Sequence, residues 1–360
     1  MKTLEQISVV GFKSIRELRD FKIRQLNILV GANGAGKTNF ISLFKFLSQL
    51  IEKRLQIFVA KSGGADVFLY FGRKVTDEII VSLEFGDGSK ANGYQVKLTP
   101  SVKGNLVFAD ERFWAIDRRY STPPELFGQG HEEAKLPESG LVTDLSNVLP
   151  NWRVYHFHDT SDAAHVKQIG KIGDNANLKS DAANLAAYLY LLRNNYSAHY
   201  QQIVSIIRLV APFFDDFVLR PMPENKSKIR LEWRELGSDD YFDSSYFSDG
   251  TLRFICLATL LLQPQLPSLV IIDEPELGLH PYAINVLADM LHSASTKSQV
   301  IVSTQSVPLI NQFQPEDIIV VDRESRQSVF QRLNSAELDQ WLEEYGLGEL
   351  WEKNIIGGRP

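Results

Sequence analysis

The chain has 360 residues, 44% of them hydrophobic, enough to bury a core in one large domain or two modest ones. Its 38 basic residues against 44 acidic ones give a formal net charge of -6, which excludes a global positive field and leaves nucleic-acid contact to local patches. The single cysteine, Cys256, excludes an internal disulfide and a multi-cysteine zinc site within the chain. MKTLEQISVVGFK carries charges where a signal peptide needs its apolar stretch, and the longest apolar segment is broken at Gln263, Pro264, Gln265 and Pro267. A cytoplasmic chain with no export signal and no membrane span is therefore expected.

The first residues alternate as strands do. Ile7, Val9 and Phe12 lie around a turn at Gly11, and Leu26 to Val30 form a second apolar run that ends at Gly31. Gly31-Ala32-Asn33-Gly34-Ala35-Gly36-Lys37-Thr38 then fills the pattern GxxxxGK(S/T) between that strand and a helix. From Asn39 to Ile51 apolar residues recur at helical spacing through Phe40, Leu43, Phe44, Leu47 and Leu50, so one helix face should lie on a sheet. The pattern points to the phosphates of a nucleotide. Glycines let backbone N–H groups wrap an anion, and a helix start adds partial positive charge. Asn33, Gly34, Ala35, Gly36, Lys37, Thr38 and Asn39 are thus expected to hold ATP, with Lys37 on the outer phosphates and Thr38 on Mg2+.

Residues 66–120 read as short strands separated by turns such as Gly86-Asp87-Gly88, an antiparallel sheet inserted after the first helix. Residues 121–150, rich in Pro, Gly and Glu, read as a surface loop or lid. Trp152 to Asp159 alternates and places His156 and His158 on one strand face, where a hydrogen-bonded pair is expected rather than a metal site. Asp181 is expected to cap a helix through Leu192, and a second helix runs from Tyr196 to Leu209. Alternation of helix and strand returns in the final third: a helix after Gly250, a strand at Leu269–Ile272, a helix after Pro281, and strands at Val300–Ser303 and Ile318–Val321. That order implies parallel strands with crossover helices. Ser335 to Tyr345 reads as a helix, and the apolar, glycine-bearing tail to Pro360 should pack on its own domain.

The strand at Leu269–Ile272 runs into two carboxylates. Asp273 at its end suits Mg2+ held through water, and Glu274 suits the attacking water of a hydrolysis. Five segments carry a family resemblance: GFKS at Gly11 to Ser14, GANGAGKTNF at Gly31 to Phe40, FSDGTLR at Phe247 to Arg253, IIDEPELGLHP at Ile271 to Pro281, and STQS at Ser303 to Ser306. With them the chain resembles the ABC-type ATPases of the SMC and RecF branch, with its compact bacterial relatives and the overcoming-lysogenisation-defect family. The resemblance covers both ends of the chain and leaves Phe58 to Asp243 with a vague likeness. It implies an α/β P-loop NTPase fold, an ABC-type ATPase head with a mainly parallel sheet, an antiparallel β subdomain and an inserted helical region. The ATPase core would occupy 1–60 and 244–334, the antiparallel insert 61–120, a lid loop and helical, signature-side insert 121–243, and a C-terminal helix and tail 335–360.

The resemblance also implies roles. Ser248, Asp249, Gly250 and Thr251 stand at the ABC signature, where a helix start grips the terminal phosphate bound to the opposite protomer, so an ATP-dependent head-to-tail homodimer is expected. Gln305 stands where the family usually has a phosphate-sensing histidine; it can donate a hydrogen bond but carries no charge, which suits slow hydrolysis. Catalytic roles fall to Glu274, Lys37 and Gln305, and Mg2+ to Thr38 and Asp273. The glutamine that in the family links magnesium to the inserted region has no clear place in this sequence; Gln56 and Gln168 are candidates, each reading rather as a surface residue.

The expected function is an ATP-driven dimer switch in DNA repair or antiviral defence that controls a separate effector such as a nuclease, since the segment after Pro281 is too short for a TOPRIM nuclease. The alternative is a slow or non-hydrolysing ATP-bound scaffold that holds partner proteins. Possible DNA contact falls to basic groups at Arg112, Arg118 and Arg119, at Lys167, Lys171 and Lys179, or at Lys226, Lys228 and Arg230. Cys256 is expected to pack within the signature helix.

Overall fold

A computed structural model describes residues 3–86, 90–117, 120–121, 125–136 and 151–358. The expected turn at Asp87-Gly88, Arg118 and Arg119, most of the expected lid at 121–150, and Arg359-Pro360 lie outside the described residues. The chain divides into two compact units, Met1–Arg153 with Gln314–Pro360, and Val154–Phe313.

In the first unit, β1 (Thr3–Phe12) pairs antiparallel with β2 (Ile15–Lys22) on one side and β4 (Ile79–Gly86) on the other. The sheet continues through β5 (Lys90–Pro100) to β6 (Leu106–Asp117), which also pairs with β7 (Tyr120–Ser121) and β8 (Glu125–Leu126). The antiparallel strands expected from residue 66 thus begin at Ile79. Before them the chain makes a 3-10 turn at Ala65–Val67 and further turns, with Phe71 in left-handed backbone (φ 56°). The sheet also takes in the first two strands of the chain.

The fully buried β3 (Leu26–Val30) lies parallel to β17 (Ile318–Glu324), which turns back antiparallel into β18 (Gln327–Arg332). Helix α1 (Lys37–Ile51) follows β3 and buries the face read from its spacing, Phe40, Leu43, Phe44, Leu47 and Leu50, together with Phe46. Aromatic rings fill the space around it: Phe12 lies 5.4 Å from Phe46, and Phe40 lies 5.3 Å edge-on to Phe44. The short α2 (Leu55–Lys61) comes next. At the far end of the chain come two helices, α8 (Ser335–Leu342), three residues shorter than read from sequence, and α9 (Leu347–Glu352). The tail then docks on its own unit, where the Trp351 indole donates to the Gly358 carbonyl (2.8 Å) and the Gly358 N–H to Asp322 Oδ2 (3.2 Å).

Strand β9 (Trp152–Tyr155) carries the chain into the second unit. There β10 (Gly170–Lys171) pairs with β12 (Lys228–Ile229), and β11 (Phe214–Phe217), β13 (Glu232–Glu235) and β14 (Tyr241–Asp243) form a three-stranded antiparallel sheet. Helix α3 (Leu185–Asn195) starts later than the expected cap at Asp181, because Ala182 takes left-handed backbone (φ 55°). Asp181 Oδ1 instead accepts from the Ala183 N–H at 3.1 Å. Helix α4 (Ser197–Val210) follows and packs on α5 (Asp249–Leu261), which packs in turn on α6 (Pro281–Ser295).

The expected crossover is present. Strand β15 (Leu269–Asp273) lies parallel to β16 (Gln299–Thr304) with α6 between them in sequence, in a register running from Leu269 opposite Gln299 to Asp273 opposite Ser303. The short α7 (Val307–Ile310) follows β16. Cys256 is buried within α5, where burial pushes its thiol pKa up, so it packs and does not react. No helix among the described residues is long and apolar enough to cross a membrane.

Candidate functional site

In the first unit, β3 ends at Gly31, where a Cβ would sit 2.1 Å from the Val321 carbonyl oxygen. The loop then needs glycine at Gly36, whose φ of 124° few side chains adopt and whose Cβ would meet Ser328 Oγ at 2.0 Å. Hydroxyls brace the loop from behind. Ser328 Oγ donates to the Ala35 carbonyl and lies 2.8 Å from Ser14 Oγ, to which Asn39 Nδ2 also donates at 2.8 Å. The Asn39 amide is thus engaged in holding the loop.

Lys37 is 5% exposed, and its Nζ donates to the carbonyls of Gly31 (2.5 Å) and Ala32 (3.1 Å). Helix α1 begins without a side-chain cap, which leaves first-turn N–H groups for another acceptor, while Asn33, Gly34 and Thr38 are exposed. A backbone cradle that a Cβ would fill, with a buried ammonium in the same loop, fits a chain of phosphates. Beside it is a cleft of about 410 Å³ lined by Lys13, Ser14, Asn39, Phe71, Arg323 and Arg326. Burial, and after it the charge of Lys45, lowers the Lys13 pKa, and Arg323 Nη1 reaches the Gly34 carbonyl at 3.4 Å.

In the second unit, β15 delivers Asp273 and Glu274, both half-buried, at its end. Glu274 takes left-handed backbone (φ 44°) and donates its N–H to the Ser303 carbonyl at 2.8 Å, a strained turn that aims its side chain away from the strand line. Gln305 Nε2 donates to Glu274 Oε1 at 3.0 Å, so the structure brings these two sequence-predicted catalytic residues together. Glu276 is a group that sequence reasoning missed. Its Oε1 accepts from Thr304 Oγ1 (2.6 Å) and the Gln305 N–H (3.2 Å), while Oε2 is buried with no hydrogen-bond partner among the described residues. Burial first, and then the charge of Glu274, push the Glu276 pKa up against those hydrogen bonds.

Ser248 is the N-cap of α5: its Oγ accepts from the Thr251 N–H at 3.2 Å and lies 2.8 Å from Thr251 Oγ1. The helix start stays exposed at Ser248 and Asp249. Gly250 is dictated by close approach, since a Cβ there would lie 2.2 Å from the Gly278 carbonyl oxygen. Arg253, one turn further, donates to three carbonyls, those of Phe157 (3.2 Å), Leu277 (3.0 Å) and His158 (2.8 Å). The His158 ring in turn lies 2.8 Å from the Asp273 carbonyl. A continuous run of bonds therefore joins the strand end that carries Asp273 to the start of α5.

The motif FSDGTLR contained Arg253, and the alternation of Trp152 to Asp159 flagged His158, but neither signal named the partner. The rings of His156 and His158 lie 6.2 Å apart, and no group of three or more His, Cys, Asp and Glu among the described residues could hold a metal ion. Gln56 Nε2 is held by the Leu106 and Glu132 carbonyls and Gln168 Nε2 by the Asp162 carbonyl, which leaves both glutamines tied to backbone.

A glycine-cradled loop with a buried lysine, followed by an uncapped helix, and a strand ending in paired acids define a P-loop ATPase head of the ABC type. The chain belongs to the family described as "AAA domain, putative AbiEii toxin, Type IV TA system", which matches residues 26–311. It is 24% identical over 377 residues to the Old nuclease of Escherichia phage P2, across 94% of this chain and 62% of that protein, so it spans less than two thirds of that relative. Its fold is similar to an SMC head bound to the C-winged helix domain of ScpA, with a TM-score of 0.61 at 16% identity over 93% of this chain and 99% of that one. A second SMC head, with an extended coiled coil and bound to the C-terminal domain of ScpA from Pyrococcus furiosus, gives 0.61 at 16% identity over 96% and 99%. The SMC-like resemblance and the α/β P-loop fold read from the motifs both hold.

Proposed function

We propose that this chain hydrolyses ATP with Mg2+ and works as a switch, two copies closing head to tail when ATP is bound and parting after hydrolysis. The observation that carries the reading is the Glu274 carboxylate, turned out of β15 by its left-handed backbone and held by the Gln305 amide at 3.0 Å. A carboxylate oriented in this way suits a general base for water. In this reading Lys37 and the backbone of Asn33 to Gly36 hold the phosphates, and Thr38 and Asp273 hold Mg2+. When bound, Mg2+ neutralises phosphate charge and orients the terminal group.

The exposed start of α5, with Ser248, Asp249, Gly250 and Thr251, supports use in trans. Each chain has two helix starts suited to phosphate, in α1 and α5, and needs one for its own nucleotide. The similarity to a nuclease and to SMC heads crystallised with a partner domain supports control of a separate effector such as a nuclease, in DNA repair or antiviral defence. A second reading is favoured by Gln305 itself: a neutral donor at this position suits an ATP-bound scaffold with little or no turnover.

Steady-state phosphate release by the wild type and by Lys37→Ala, measured beside fluorescent-ATP binding, separates the two. Turnover above the variant's supports the ATPase. A wild-type rate equal to the variant's, with ATP bound, overturns it in favour of the scaffold.

A further inference from the structure

Two acids leave β15 by one tight turn, and both end on the same residue after β16. Glu274 in left-handed backbone and the fixed ring of Pro275 redirect the chain, and Glu276 comes back onto Thr304 and Gln305. One Glu276 oxygen, Oε1, takes the Thr304 hydroxyl at 2.6 Å and the Gln305 N–H at 3.2 Å. The bonds continue from there. Thr304 Oγ1 accepts from the Ser306 N–H at 3.0 Å, and Ser306 Oγ caps α7 by accepting from the Leu309 N–H at 3.3 Å. The turn from Thr304 to Ser306, and the helix that follows it, are thus hung on a single carboxyl oxygen.

A carboxyl group is a costly choice for this place, since its other oxygen, Oε2, is buried with no hydrogen-bond partner among the described residues. What it supplies in return is an acceptor at one point. Of the donors gathered there, the Gln305 N–H belongs to the residue whose side-chain amide holds the Glu274 carboxylate at 3.0 Å. The backbone from which that amide reaches is therefore set by Glu276.

We propose that Glu276 is a positioning residue for the hydrolysis, acting on the Glu274 carboxylate through Gln305 and making no contact of its own with the nucleotide. This rests on the ATPase reading above and names a residue which that reading leaves without a role. The function needs an acceptor at the Oε1 position and does not need the negative charge.

The test compares kcat, KM and fluorescent-ATP binding for the wild type, Glu276→Leu, Glu276→Gln, Gln305→Ala and the double variant of Glu276→Leu with Gln305→Ala. Glu276→Leu fills the space without an acceptor and should lower kcat about 10–100-fold, as loss of an orienting partner does, with a much smaller change in KM and ATP affinity. Glu276→Gln keeps the acceptor and should restore most of the turnover. The double variant should be no slower than the slower single variant, because both changes cut one chain of contacts. Should Glu276→Leu fail to fold, Glu276→Asp, charged but one methylene too short, takes its place with the same expectations. A leucine variant with wild-type kcat, a glutamine variant as slow as the leucine one, or losses that multiply in the double variant each overturn the proposal. A wild-type rate no higher than that of Lys37→Ala is a different failure: it removes the ATPase reading, and this proposal with it.

Discussion

The Gln305 side-chain amide donates to the Glu274 carboxylate at 3.0 Å. The Gln305 backbone N–H, at the other end of the same residue, donates to Glu276 Oε1 at 3.2 Å. One residue after β16 therefore fixes two acids after β15, both half-buried, the second with a carboxylate oxygen out of reach of water. Replacing Gln305 by Ala frees the Glu274 carboxylate to rotate, which should lower turnover about 10–100-fold, as loss of an orienting partner does. ATP affinity should fall much less than turnover, since Lys37 and the loop backbone still hold the phosphates. Phosphate release and fluorescent-ATP titration on the same preparation check both halves.

Lys37 holds two carbonyls of its own loop, Gly31 and Ala32, from a nearly buried position. Lys37→Ala should abolish measurable ATP binding and also cost about 1–3 kcal/mol of stability, because two carbonyls lose their charged donor. Urea unfolding without nucleotide measures the second effect separately from the first.

Glu276 gives a pH prediction with a definite sign. Its folded pKa is raised, so the folded state favours the protonated form. The stability this group contributes is complete below the unfolded carboxyl value, near ~4.3, and is lost as pH rises through the higher folded value. Glu276→Gln keeps the Oε1 acceptor for Thr304 and fixes the neutral state. It should melt a few degrees above the wild type at pH 8, with the gain vanishing towards pH 4. Melting curves that coincide at every pH would contradict the buried, protonation-prone acid.

Arg253 reaches the carbonyls of Phe157, Leu277 and His158 with one planar fork, which a lysine cannot reproduce. Arg253→Lys should lower the melting temperature and reduce turnover while leaving ATP affinity intact, because the tie between α5 and the Asp273 strand end is loosened. Thermal melting and a kcat-against-KM comparison test it.

The sequence made some parts of the molecule plain and hid others for physical reasons. Gly36 and Lys37 were legible because a phosphate cradle is built from consecutive residues, and β15 with Asp273 and Glu274 because a buried parallel strand is a continuous apolar run. The Glu276 environment was hidden, since its partners Thr304 and Gln305 lie on another strand end. The start of α3 was misplaced because Ala182 takes left-handed backbone, which alanine seldom adopts and which no residue type there signals. That β1 and β2 belong to the antiparallel sheet was equally illegible, because register with β4 depends on residues some seventy positions away. The basic groups at Lys171 and Lys228 stand far apart in sequence, and the pairing of β10 with β12 that sets them opposite each other leaves no local signal.

The central claim is that ATP closes two copies of this chain around their nucleotides, and the Glu274→Gln variant tests it most directly, since it should bind ATP without hydrolysing it. Light scattering on that variant, with and without Mg2+ and ATP, should show the mass double when ATP is present and return when it is removed. A mass that stays that of one chain while ATP is demonstrably bound would contradict the account.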